Sequence, residues 1–271
     1  MCSICGAHFD GYAANAATTV VVGDTPCTGK KADVILAAWH AFQAAQRVIA
    51  EASTNHEVTD VIQRIAEQFE CNAVEGVLSH KIKRHIIDGN DCIINKASAT
   101  DNVSEFQFTA GDVIGLDIFV STGEGKPRED DSRCTVFKRE LEQVYNLKMK
   151  SARAFFVEVN KRFPTLPFSL RAMTDQVAAK VGVRECTNHD LLVPYPVLTE
   201  RAGEYVAHFK ATIVVQPRST AVICGNTPID LTKITSEHSI TDEEMLALLA
   251  KDLWKKPKKN AAATAAATTT Q

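Results

Sequence analysis

Apolar positions along this chain switch between a period of two and a period near 3.6. Residues 3–9 and 12–22 read as two strands joined at Asp10-Gly11, a dipeptide that favours a tight hairpin turn. Thr18, Thr19 and Val20 to Val22 add high strand propensity. A helix is predicted from about Lys30 to Ala52, because Val34, Ala38, Phe42, Ala45 and Ile49 recur at steps of three and four. A second is predicted over 57–70, with Val58, Val61, Ile62, Ile65 and Phe69 on one face. The segment from Ala73 to Gly89 is mixed and dense in His and Lys. Residues 112–121 are almost continuously apolar, the pattern of a strand covered on both faces. Asp117 in its middle is then an anomaly. Either it pairs with a buried cation or it sits at a solvated strand end.

Residues 121–133 are polar and read as loop. A basic helix is expected from Lys148 to Phe163, burying Ala152, Phe155, Phe156, Val159 and Phe163 and ended by Pro164 and Pro167. A short helix at about 174–181 is expected to stop at Gly182. Residues 204–215 alternate, with Tyr205, Ala207, Phe209, Ala211, Ile213 and Val215 on one face and Glu204, Val206, His208, Lys210 and Thr212 on the other. A last helix starts at a Thr241–Glu244 capping box and presents Met245, Leu248, Leu249 and Leu253. Residues 255–271, a Lys-rich run followed by Ala and Thr, are expected to be disordered. The order of elements is α+β rather than regular βαβ alternation.

Composition adds limits. The 271 residues are 45% hydrophobic and 23% charged, a globular balance. No apolar run is long enough to span a membrane, and no secretory leader is visible, so no membrane partner is expected. The eight cysteines are scattered, as reduced thiols in a cytosolic chain would be. Cys2 and Cys5 form one CxxC, but a zinc site needs a second pair, and none has suitable spacing. The formal net charge of −3 hides an uneven distribution. Residues 1–254 carry −7, yet residues 138–162 carry +4, and Lys81, Lys83 and Arg84 form a smaller cluster. Lys138, Arg139, Lys148, Lys150, Arg153, Lys161 and Arg162, with tail residues Lys255, Lys256, Lys258 and Lys259, are the candidate phosphate-backbone contacts. A plain solvated helix face would also explain the helical ones.

Several ordered strings together resemble the methionine aminopeptidase, or pita-bread, superfamily. They are Gly6 to Gly11, Leu78 to His80, Asp117 with Ser121 to Gly125, Val193 to Val197 and Val206 to Lys210. Within it the chain resembles the proliferation-associated (ErbB3-binding) family more closely, through Glu75 to Gly89, Leu147 to Phe156 and Met173 to Val183. The resemblance implies a pita-bread domain over residues 1–254, lacking its N-terminal part, with an insert at about 134–185. The missing part would be either a truncated gene model or a lost half of a pseudo-symmetric fold, leaving a sheet edge or face uncovered.

Active relatives bind two divalent metals through two Asp, one His and two Glu. Those positions fall at Ile4, Asn15, His80, Asp117 and Lys210. Ile4 has no donor, Asn15 offers only a neutral carbonyl, and Lys210 places a cation where a cation should bind. At about 4 Å and an effective dielectric near 20, a unit pair repels by roughly 4 kcal/mol, and a divalent ion doubles this. Three of five ligands are thus replaced, so no catalytic residue, metal or cofactor is expected. Lys210 is expected to pair with Asp117, and His80 to be an ordinary hydrogen-bonded histidine.

The resemblance also implies binding to ribosomes, rRNA or other structured RNA, in ribosome biogenesis, translation and growth regulation. The implied location is the cytoplasm, with the nucleus or nucleolus as a second site. The Leu-x-x-Leu-Leu docking stretch of relatives reads Met245 to Leu249 here, so that interaction is not carried over. The competing readings are a metal-dependent aminopeptidase-like hydrolase and a truncated, non-functional family member.

Overall fold

The structure is a computed structural model, and it describes residues 1–98, 103–217 and 219–253. Strands β1 (Cys2–Phe9) and β2 (Tyr12–Thr19) form the expected hairpin. Asp10 and Gly11 both take positive φ, 49° and 84°, the geometry a two-residue type I′ turn requires. Val20 to Val22 lie outside the strand. Helices α1 (Lys30–Val48) and α2 (Asn55–Glu67) follow. The first ends four residues before the predicted Ala52. There the Ser53 hydroxyl donates to the Val48 carbonyl at 2.7 Å, and Ala52 turns the chain with φ 70°.

Next come β3 (Leu78–Lys81), β4 (Cys92–Ile94) and β5 (Val113–Ser121). A compact insert follows, built from β6 (Val136–Arg139), α3 (Lys150–Arg162), β7 (Phe168–Ser169), α4 (Gln176–Asn188) and β8 (Leu192–Pro194). The chain then returns through β9 (Val206–Gln216), β10 (Ser219–Cys224) and α5 (Glu243–Leu249). The segment read as loop over 121–133 contains a two-residue strand, Arg128–Glu129, paired with Leu198–Thr199.

Among the described residues the main sheet has eight strands, with β1–β2–β9–β5–β3–β4 as its spine. β10 and the short strand Asn72–Ala73 pair alongside. One face packs on α1, α2 and α5, joining Phe42, Ile62, Ile114, Leu116, Ile118, Phe209 and Ile213 in one core. Trp39 meets Phe209 edge to face and Phe42 stacks on it, with ring centroids 5.4 and 5.9 Å away. β5 is covered fully on that face only. On the other face Val113, Asp117 and Phe119 are half-buried, which corrects the expectation of two covered faces. β1 is the edge of the sheet, and all eight of its residues are exposed.

The insert has a second core of its own, including Phe137, Phe155, Val159, Phe168, Val183 and Leu192. It therefore extends beyond residue 185. Gly182 does not end a helix as predicted. It lies buried in the middle of α4, against the Phe155 ring. Phe156 and Phe163, expected inside, are only partly buried. Asp175 caps α4, accepting from the backbone N–H groups of Val177 and Ala178 at 2.9 Å. Asp175→Ala should cost about 1 kcal/mol, readable as a lower urea midpoint at unchanged slope. At α5 the cap is Asp242, one residue after the predicted Thr241. Its carboxylate accepts from Glu244 N–H at 2.9 Å and Met245 N–H at 3.3 Å and meets Arg64 at 2.5 Å.

Candidate functional site

Strand register decides which side chains meet. Ile4 pairs with Ala17, Ala17 with Lys210, and Lys210 with Asp117, so these four form one row across four strands. Directly opposed residues share a face, and so do residues two apart on a strand. Asn15, two before Ala17, therefore joins the same face. So does His80, which pairs with Gly115, two before Asp117. The five positions scattered through the sequence come together on the face away from α1 and α2.

Two of them, Lys210 and Asp117, form a closed ion pair there with His208. The Asp117 side chain is only 14% exposed. One carboxylate oxygen accepts from the Lys210 ammonium, and the other lies 2.5 Å from His208 Nε2. The solvated reading of Asp117 is thus ruled out. Burial raises the Asp117 carboxyl, but His208 and Lys210 outweigh it and hold the group below its ordinary value. Burial lowers His208, but Asp117 and Cys2 outweigh that, so the imidazole holds its proton more tightly than usual. His208 lies flat against Phe119, with centroids 3.7 Å apart. Its backbone N–H donates to the Thr19 hydroxyl at 2.9 Å.

Ile4 is 65% exposed and offers no donor. Asn15 is held by its backbone, whose N–H donates to Thr212 Oγ1 at 2.8 Å. His80 Nδ1 donates to the Gly89 carbonyl at 2.9 Å. Among the described residues no group of three or more His, Cys, Asp or Glu side chains is placed to hold a metal ion. Beside the ion pair a cleft of about 750 Å³ opens between the hairpin and the insert, lined by Ile4, Asn15, Leu166, Pro167, Tyr195 and Lys210.

The basic candidates divide into two groups. Lys138 pairs with Asp88, and Arg162 meets Glu158 at 2.6 Å. Arg139 stacks over Phe156, and Arg153 donates to the carbonyls of Leu147 and Lys148. These four make contacts within the insert or to the segment before it. Lys148, Lys150 and Lys161 are exposed and form no ion pair among the described residues. Lys150 and Lys161 stand three helical turns apart on one face of α3. Lys180 and Arg184, missed in the sequence, project one turn apart from α4 and, with Arg133 and Met149, line a cleft of about 690 Å³. Their i, i+4 spacing was the signal, but a helix ended at Gly182 hides it. The tail lysines and the disorder expected for 255–271 lie outside the described residues. No helix among the described residues is long and apolar enough to cross a membrane.

No family model matches the chain. Its fold is that of a solved structure described as a thermophilic Arx1, with a TM-score of 0.82 and 27% identity over 91% of this chain and 72% of that one. A methionine aminopeptidase from Thermotoga maritima shares the fold at TM-score 0.52 and 13% identity, covering 83% of this chain and 63% of that one. Sheet, helices and site together define an aminopeptidase-like domain of the pita-bread class.

Sequence relatives narrow this further. Proliferation-associated protein A of Dictyostelium discoideum is 41% identical over 267 residues, 97% of this chain and 68% of its own length. The potato (Solanum tuberosum) protein named ERBB-3 binding protein 1 is 41% identical over 216 residues, 79% of this chain and 56% of its own length. A Schizosaccharomyces pombe protein named curved DNA-binding protein is 38% identical over 247 residues, 90% of this chain and 64% of its own length. The chain belongs to the proliferation-associated (ErbB3-binding) protein family, and it spans between 56% and 68% of the length of these relatives.

Proposed function

We propose that this chain is a non-catalytic adaptor that binds rRNA or other structured RNA on ribosomes and acts in ribosome biogenesis, translation and growth regulation, in the cytoplasm and the nucleolus. The carrying observation is the Lys210–Asp117–His208 lock beside a separately cored basic insert. An ammonium occupies the row where active members of the wider superfamily need a metal ligand, and the surviving carboxylate is spent on it. A dinuclear hydrolase polarises its substrate with metal ions, and among the described residues this face brings no three His, Cys, Asp or Glu side chains together to hold one. The vestigial site therefore contributes architecture rather than turnover.

The binding reading rests on charge placement. Lys148, Lys150 and Lys161 on the α3 side and Lys180 and Arg184 on α4 present cations from a rigid, cored unit. Such a surface suits phosphate backbone, whose contacts release condensed counterions. The name of the S. pombe relative, which says that it binds curved DNA, supports a nucleic-acid-facing surface.

Replacing Lys148, Lys150 and Lys161 together by Ala is expected to weaken ribosome co-sedimentation roughly 10- to 100-fold and to flatten the slope of log K against log salt by about two to three. Binding unchanged at every salt concentration would reject the insert as the contact surface. Turnover of a Met-Ala peptide on adding cobalt or manganese would replace the adaptor reading with the hydrolase one.

A further inference from the structure

β1 carries two exposed cysteines, Cys2 and Cys5. Three residues apart on a strand, they point to opposite faces with Cα atoms about 10 Å apart, too far for a disulfide between them. The CxxC spacing is thus irrelevant here, and each thiol has its own surroundings.

Cys2 shares the face of the ion pair. Its Sγ lies 3.6 Å from His208 Nδ1. The other ring nitrogen, Nε2, faces Asp117 Oδ1 at 2.5 Å, and His208 is clamped by Phe119 and Thr19. A carboxylate that keeps a proton on Nε2 leaves Nδ1 as the basic nitrogen, and Nδ1 is aimed at the thiol. Thiol, imidazole and carboxylate stand in the order that prepares a sulfur nucleophile.

We propose that Cys2 is a nucleophilic modification site, activated by His208 and positioned by Asp117, that forms a mixed disulfide with a low-molecular-weight disulfide. The Cys2 proton passes to His208 Nδ1 and the sulfur attacks one sulfur of the disulfide. The Cys2–S bond forms as the S–S bond breaks. The leaving thiolate takes the proton back from His208, so one thiol and one disulfide give one thiol and one mixed disulfide. The wider set of cysteines supports the selectivity. Burial pushes Cys71 and Cys186 up to about 12 and raises Cys92 and Cys27 as well. Burial also acts against Cys2, but the hydrogen bond and charge of His208, with the Thr19 hydroxyl, outweigh it and leave the thiol below its ordinary value.

The test is the rate of S-glutathionylation of the full chain by glutathione disulfide, with each cysteine assigned from fragment ions. Cys2 should react at least about tenfold faster than Cys5, the other exposed cysteine of β1, and His208→Gln should bring the two rates together. The gap between wild type and His208→Gln should widen as pH falls from 8 to 6. Among the described residues the charged and titratable groups around the relay are Asp117 on β5, Lys210 on β9 and the Met1 amino group. Equal rates at Cys2 and Cys5 in the wild type, a comparison that needs no variant to fold, would overturn the proposal. So would an unchanged ratio in a His208→Gln protein whose circular dichroism matches the wild type.

Discussion

Asp117→Ala is expected to destabilise the protein by about 3 kcal/mol, seen as a fall in Tm on the order of 10 °C. Removing the carboxylate leaves the half-buried Lys210 ammonium and the buried His208 imidazole, 6% exposed, facing each other without an anion between them. Unpaired charge in a site of low polarity costs far more than the intact pair contributes, so the loss exceeds that of a surface salt bridge. Asp117→Asn separates charge from shape. It keeps the volume and one acceptor and should still lose most of the stability. The pH dependence gives a second readout. Asp117 is depressed in the folded state, so its contribution is full above the unfolded carboxylate value and is lost as pH falls through the depressed one. His208 is raised, so its contribution is full below the unfolded imidazole value and is lost as pH rises through the raised one. Wild-type stability should therefore have a plateau between the two, and Asp117→Ala should flatten both shoulders. A variant within about 0.5 kcal/mol of wild type, with the same pH profile, would reject the lock.

Local signals carried much of this fold. The Asp10-Gly11 turn, the apolar faces of α1 and α2 and the alternation along β9 each rest on neighbours in sequence and formed where the pattern placed them, while the α3 face is narrower than predicted, burying Ala152, Phe155 and Val159. The Lys210–Asp117 pair was also legible, because a charge in an apolar strand demands a partner and the resemblance named one. His208 was not. On an alternating strand it reads as one more residue of the polar face. Only the β9–β5 and β2–β9 registers show that it sits between Asp117 and the hairpin carrying Cys2. The same holds for the partition of basic residues. Sequence counts Lys138 and Arg139 with the exposed lysines, while tertiary contacts to Asp88 and Phe156 engage them. The Arg162–Glu158 pair and the Arg153 bonds to Leu147 and Lys148 are local and were within reach of the i, i+4 pattern.

Gly182 is where local and tertiary logic conflict most directly, and Gly182→Val is expected to cost the insert about 2–3 kcal/mol. By propensity a glycine inside α4 is a defect, and Gly182→Ala alone should gain about 1 kcal/mol. The packing reverses the sign. A Cβ there would stand 2.6 Å from Phe155 Cβ, 2.7 Å from Cγ and 2.8 Å from Cδ1. Phe155 is itself buried against α4 and β7, so it cannot step aside without opening the second core. The missing side chain is what lets α3 and α4 approach and so fixes Lys148, Lys150 and Lys161 relative to Lys180 and Arg184. Hydrogen exchange should therefore show faster opening of α3 and α4 in Gly182→Val, with β5 and β9 unchanged because their core is separate. On the proposed ribosome-binding role, co-sedimentation should fall with it, although no charge has been removed. A Gly182→Ala protein more stable than wild type would show that the helices can part at no cost, and that propensity rather than packing governs this position.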